Sequence, residues 1–463
     1  MFDQDNILKS PREFATDPAA TASLRLVLEE PHRARWTKLL ITTIVCAALV
    51  TLAGLVVWAW GYRTQRHNPG FWHVSLVSVL FWLSVTQGMT ALSALLRVTH
   101  ASWRYPLLRM LDLGSLFGVG GIVVLPFLIA ARYEIYALGT SDYQDNVWRV
   151  AGPITWDAVA VGVAYLAGWM LLYLTSLPDF AVLRDRAEHG TKEKRFYSRI
   201  AGFWHGSDRQ WRVMRRAEGM LVVAVVAAFV GSQTVLGWDF QLAAARDWDS
   251  SIFAPLYTIG SLLGACAILT LVATVVERLL GYRCFVCEFQ YDNLGRCMIA
   301  LGLIWFYFRW CDYLTAWYGH IPQEWYVQGN RVTAFPILAV LMTLGCFVAP
   351  VFGNMIGRIR KSAGGLCTIS VLALIGLATQ RYLDTVPTFA PNYPLSALIP
   401  SVPSVIVFLG LAALFVLTYL IAARYFPVMS WWGLSKERTR TAERPLGNAT
   451  VTVMVEDPPI WET

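Results

Sequence analysis

The chain has 463 residues, 56% of them hydrophobic and 15% charged. Soluble globular chains carry about 25% charged residues, so a string of soluble domains is excluded and a polytopic membrane protein is indicated. The net charge of +7 is assigned to membrane orientation, not to nucleic acid, because Lys and Arg gather on the cytoplasmic side of membrane proteins.

Residues 1–37 are polar, with no early apolar core and no small-residue cleavage site. The first hydrophobic segment is therefore expected to act as a retained signal anchor. A helix crosses the bilayer core with about 20 apolar residues. Ten stretches meet that length or approach it: 38–60, 70–96, 106–131, 153–176, 214–237, 252–276, 294–318, 333–355, 364–380 and 403–423. The ninth is the shortest. Lys and Arg number 28 in one alternate set of intervening segments and 7 in the other. That bias supports ten spans with both termini in the cytoplasm. The outer segments 238–257 and 317–332 are rich in aromatics and contain Pro or Gly; they are expected to lie along the membrane face or to dock a partner. The tail after Trp432 is polar and Pro-containing, which predicts an extended or disordered arm.

Eight Cys are scattered, and only Cys284 and Cys287 form a C-x-x-C, short of the four ligands of a closed zinc site. Seven His are present and none is central in a span, which argues against a b-type haem held between helices. There is no phosphate-binding loop, H-E-x-x-H or Cys-rich iron–sulfur run. No metal site or covalently bound cofactor is expected in this chain.

Charged side chains within spans usually face a bundle interior or a cavity. Arg109 and Asp112, Arg215 and Glu218, and Arg309 and Asp312 are each three residues apart. That spacing puts both groups on one helix face, so each pair is expected to neutralise itself. Structural ion pairing and a proton path are both open readings. The third pair lies deepest, beside Tyr307, Trp310 and Tyr313. Asp157 stands just inside the outer end of the fourth span, with nothing of opposite charge close in sequence. It is either held by polar neighbours or acts as a proton acceptor. Gln87, in the second span, reads by default as a helix–helix hydrogen bond.

The stretch "ITWDAVAVGVAYLAGWMLLYLTSLPDFAVLRDRAEHG" (154–190) resembles a helix and inner loop of the NrfD/PsrC family of membrane subunits, in particular the ActC type of alternative complex III. Four further stretches resemble that family, in order: "ALSALLRVTHASWRYPLLRMLD" (91–112), "WHGSDRQWRVMRRAEGML" (204–221), "GWDFQLAAARDWDSSIFAPLYTIG" (237–260) and "YDNLGRCM…YLTAWYGH" (291–320). The likeness covers roughly residues 70–325.

The resemblance implies an all-α protein of about ten membrane helices in two four-helix bundles with flanking helices. The organisation that follows is an N-terminal tail (1–37), a first helix and outer loop (38–69), a first bundle (70–250), a second bundle (251–402), a last helix (403–425) and a C-terminal tail (426–463). It implies a subunit of a respiratory or photosynthetic quinol oxidoreductase complex, inactive alone, in the bacterial cytoplasmic membrane. Quinol, either menaquinol or ubiquinol, would be oxidised near the outer face of the first bundle. Asp157 would be the proton acceptor, with His73, Gln87, Arg132, Tyr133 and Trp156 around the ring. Electrons would pass to an extracytoplasmic iron–sulfur/molybdopterin-like subunit. Further partners would be cytochrome c subunits, a second NrfD-like membrane subunit and membrane lipids. Haem and iron–sulfur clusters would belong to the partners. Buried groups of both bundles (Asp112, Arg109, Glu218, Arg215, Asp312, Arg309, Tyr307 and Tyr313) would form proton paths. Two positions depart from the family's pattern: Ile129 and Gln87 stand where it carries His. Those departures keep a second reading open, a membrane anchor that has lost quinol chemistry. The Arg/acid pairs keep a third, a conformationally driven proton module.

Overall fold

The computed structural model describes residues 38–64, 69–121, 147–187, 189–242, 250–280, 286, 288–386, 400–430, 439–446 and 449–456. Among these residues nine helices are long and apolar enough to cross a membrane, and they match nine of the ten stretches read from sequence. The chain is an all-α polytopic membrane protein.

In chain order the helices are α1 (Lys38–Thr64), α2 (Pro69–Val98), α3 (Tyr105–Leu113), α4 (Val147–Arg186), α5 (Lys192–Ala201), α6 (Asp208–Phe240) and α7 (Phe253–Leu280). There follow α8 (Glu288–Gly319), α9 (Pro322–Thr333), α10 (Pro336–Thr343), α11 (Gly357–Lys361), α12 (Ala363–Thr385) and α13 (Val402–Tyr425). The stretch 106–131 opens as α3 and a tight turn at Gly114–Leu116, and passes beyond the described residues after 121.

Local chemistry sets several boundaries. Pro106 stands in the first turn of α3, where a missing N–H costs nothing. Ser207 and Gln210 form a reciprocal capping box at the start of α6. Ser362 caps α12 through Gly365 N–H.

The helices α2, α3, α4 and α6 pack as one bundle, and α7, α8, α10 with its continuation, and α12 as a second. The bundles meet where α2 lies against α7 and α12. α1 pairs with α13, which in turn lies on α2. Burial follows from that order: the apolar window of α2 is 94% buried, that of α1 only 17%. In lipid, close packing at small residues drives helix association. A Cβ on Gly54 of α1 would fall 2.7 Å from Gly410 Cα of α13, and one on Gly376 of α12 the same distance from Gly345 Cα.

Three spans differ from their sequence outlines. α4 does not end near 176 but runs to Arg186, with Pro178 and Asp179 inside it. The eighth span is not one α-helix: α10 passes into a π-helical segment, Leu344–Gly353, that contains Pro350. Proline has no N–H and clashes with the carbonyl four residues back, and the wider turns relieve that clash. α12 extends to Thr385, five residues past the expected end.

The segment 317–332, expected to lie along the membrane face or to dock a partner, completes α8 at Gly319 and then turns back. It folds as α9, with Val327, Gln328 and Arg331 buried against the second bundle. The tail expected to be extended or disordered contains two paired strands, Thr439–Leu446 and Ala449–Glu456, antiparallel with Thr439 opposite Glu456. The alternating Thr/Val run of the second strand suits that pairing.

Candidate functional site

One end of the first bundle is set by how α2 meets α4. Thr86 Oγ1 lies 2.8 Å from Tyr165 Oη, and a Cβ on Gly168 would touch Thr90. The two helices therefore run in the same direction. Counting back from the Thr86–Tyr165 level at 1.5 Å per residue, His73 stands about 8 Å along the axis from Asp157. Asp157 is 3% exposed and His73 2%. Both are buried toward the same end, but His73, thirteen residues before Thr86, is turned about 140° from the face of α2 that meets α4. Trp156, one residue from Asp157, is rotated about 100° on the helix and is 73% exposed. It faces away from the bundle. Arg132, Tyr133 and Ile129 lie outside the described residues.

Gln87 stands deeper in the bundle. Its Oε1 accepts from Ser232 Oγ at 2.9 Å and Gln233 Nε2 at 2.8 Å on α6. Gln233 in turn accepts from Ser261 Oγ of α7 at 2.7 Å. Ser261 accepts from Arg381 Nη2 of α12 at 3.2 Å, and the Arg381 guanidinium lies 3.3 Å from the centre of the Tyr257 ring. The amide thus begins a polar seam across both bundles.

At the other end of the first bundle the expected pairs are exchanged. Asp112 does not pair with Arg109. It takes Arg97 Nη2 at 2.7 Å and Ser93 Oγ at 2.6 Å, and Arg97 Nη1 also donates to Ser93. Arg109 reaches across to Asp179 of α4 at 2.6 Å, and to the Thr175 carbonyl at 2.9 Å. Glu218 pairs with Arg97 at 3.2 Å, not with Arg215, and Arg215 is exposed. The physical reason is reach. A buried guanidinium needs several acceptors at hydrogen-bond distance, and for Arg97 and Arg109 it is neighbouring helices that present the carboxylates.

The second bundle holds a larger cluster. Arg309 and Asp312 approach each other at 3.7 Å, but Arg309 makes its short contacts to Asp384, at 2.8 and 2.9 Å. Arg331 of α9 stands 3.8 Å from Asp312 and 3.9 Å from Asp384. Gln328 and Ser250 donate to Asp312 at 2.6 and 2.8 Å. Gln380 joins Trp305 Nε1 at 2.9 Å to Asp384 at 3.2 Å. Burial pulls the Arg331 guanidinium below its ordinary value, and nearby Arg309 adds to the fall, while Asp384 and Asp312 oppose it. Tyr313 is half-buried and Tyr307 is 60% exposed, outside the cluster.

Sequence reasoning missed Arg97, Asp179, Arg331, Arg381 and Asp384. One signal was present: 381–384 reads R-Y-L-D, the same Arg-x-x-acid spacing as in the three expected pairs. The apparent end of the span at 380 hid it. Cys284 and Cys287 lie outside the described residues. Among the described residues no three of His, Cys, Asp and Glu are placed to hold a metal ion.

No protein-family profile matches the chain. Over 345 residues it is 25% identical to a Halobacterium salinarum protein named as a putative membrane subunit of dimethyl sulfoxide reductase. The match covers 71% of this chain and 73% of that protein. By fold and by likeness, the chain is a multi-pass membrane protein similar to a membrane subunit of a reductase.

Proposed function

We propose that the chain is the membrane subunit of a multi-subunit oxidoreductase of the NrfD/PsrC type and that it oxidises quinol at the outer end of the first bundle. The observation that carries this is the burial of Asp157 at one end of that bundle. The relative named as a reductase membrane subunit supports the setting. A buried carboxylate in a span marks a functional position, and a base must reach the hydroxyl proton that it takes. Quinol gives up two protons and two electrons as it becomes quinone. In this reading Asp157 accepts the two hydroxyl protons in turn and hands each to the nearby aqueous face. The electrons leave to an iron–sulfur centre of a partner subunit outside the cytoplasm. Gln87, held by Ser232 and Gln233, fixes helix packing.

The test is quinol-dependent reduction of an artificial acceptor by the purified complex. Asp157→Asn should lower turnover by about 10²- to 10⁴-fold, the contribution of a positioned general base. Unchanged turnover would refute the assignment.

A second reading rests on the Arg309–Asp384–Asp312–Arg331 cluster, buried on the same side as the outer loops. It makes the second bundle a proton path driven by the first. Proton release measured per quinol oxidised in proteoliposomes separates the two. A ratio above the two scalar protons requires such a path.

A further inference from the structure

The charged stretch after α4 builds a fixed elbow at the membrane edge. Arg184 Nη1 donates to the carbonyls of Ala201 at 2.6 Å and Trp204 at 3.1 Å, covering the exposed carbonyl end of α5. Gln210 donates to the Phe203 carbonyl at 2.7 Å, and the Trp204 and Trp211 rings meet edge to face at 5.1 Å. Tyr197 is buried, its ring against Phe180 at the end of α4 and its hydroxyl reaching the Tyr425 carbonyl at the end of α13. α5 therefore lies where three spans end, and its orientation is fixed.

That orientation leaves a particular face outward. Lys192, Arg195 and Arg199 are exposed at helical spacing, with Phe196 exposed among them. Past the turn, Arg209, Arg212 and Arg216 repeat the spacing on the exposed face of α6. Phe203, Val213 and Met220 are exposed beside them, at 56%, 59% and 68%. Glu218, the acid expected to offset this arginine run, is engaged by Arg97. None of the six cations forms an ion pair among the described residues.

We infer that this elbow binds the phosphodiester headgroups of anionic phospholipids in the adjacent leaflet. Cations alone would suit any anion. Cations interleaved with exposed apolar side chains at the end of lipid-facing spans suit a headgroup whose acyl chains continue along Val213 and Met220. An acidic soluble partner would leave that apolar surface without a role.

The test is titration of phosphatidylglycerol into the purified full-length protein held in phosphatidylcholine-containing micelles, with bound lipid counted by native mass spectrometry. Wild type should retain phosphatidylglycerol over phosphatidylcholine, and millimolar inorganic phosphate should not displace it. The triple variant Lys192→Gln/Arg195→Gln/Arg199→Gln should lose affinity by about a hundredfold, from the usual contribution of each cation near an anionic surface. The charge-keeping Lys192→Arg/Arg195→Lys/Arg199→Lys should retain it. Should the triple Gln variant fail to fold, Arg209→Gln/Arg212→Gln/Arg216→Gln carries the same test on α6. Equal retention of the two lipids by wild type, displacement by phosphate, or unchanged retention by folded Gln variants would each overturn the inference.

Discussion

In the first bundle Arg97 and Arg109 each hold one carboxylate at 2.6–2.7 Å. In the second, Arg331 stands 3.8 and 3.9 Å from two carboxylates that Arg309 also approaches. The first arrangement is two direct pairs with Glu218 at the margin. The second shares two aspartates between two guanidiniums, Arg309 and Arg331. Both grow from Arg-x-x-acid sequences, so the spacing alone does not decide the pairing. Neighbouring helices do. Direct pairs of this kind fix geometry, whereas shared carboxylates have alternative partners within reach, and that is the property a proton-carrying site needs.

Removing a carboxylate should break the second cluster most severely. Asp384→Leu would leave Arg309 and Arg331 buried around Asp312 alone. Loss of one partner from a buried pair costs about 3–5 kcal/mol, and here more than one guanidinium is stranded. The expected result is little folded protein on size-exclusion chromatography. In the first bundle Arg109→Met should cost about 3–5 kcal/mol by stranding Asp179. The double variant Arg109→Met/Asp179→Leu should recover most of it in detergent unfolding. Strict recovery in the first bundle and none for an equivalent double change at Arg309 and Asp384 would sharpen the contrast between paired and shared charges. Equal recovery in both would remove it.

Packing changes come next. Gly376→Ile places a branched side chain where even a Cβ would meet Gly345 within 2.7 Å. Overpacking of this kind costs roughly 1–3 kcal/mol, read as a lower unfolding midpoint. Smallest are the edge charges. Glu218→Gln should cost at most about 1 kcal/mol, in the range of partly exposed pairs, and Arg215→Gln should leave the midpoint unchanged. A reversed order would restore the pairing of Arg215 with Glu218 that the sequence suggested.

The membrane class, nine of the span positions and the burial of Asp157, Asp112, Arg109 and Asp312 were legible in the sequence, because long apolar runs and charges within them have few physical solutions. Pairing was legible for Arg309 with Asp312, 3.7 Å apart, but not across helices: Arg109 with Asp179 spans 70 positions of chain, and no local rule reaches so far. Asp384 and Arg381 were hidden by a hydropathy boundary that fell five residues short of the true end of α12. Arg331 was hidden because a polar helix that folds back over a bundle reads as a surface loop. The counts of Lys and Arg placed Arg97 and Arg109 among orientation signals, although both are buried partners of acids. In the first bundle, Trp156 and Asp157 show the limit of proximity in sequence. Adjacent positions on a helix face different media, one outward and one into the bundle.

The central claim is that the outer end of the first bundle is a quinol site built on Asp157. Its most direct test is titration of a quinone analogue into the purified complex, comparing wild type, Asp157→Asn and Gln87→Leu. The account predicts saturable binding by wild type and by Gln87→Leu, and its loss in Asp157→Asn with the complex intact. Binding unaffected by Asp157→Asn, or no binding by wild type, would contradict it and leave an anchor or a proton module.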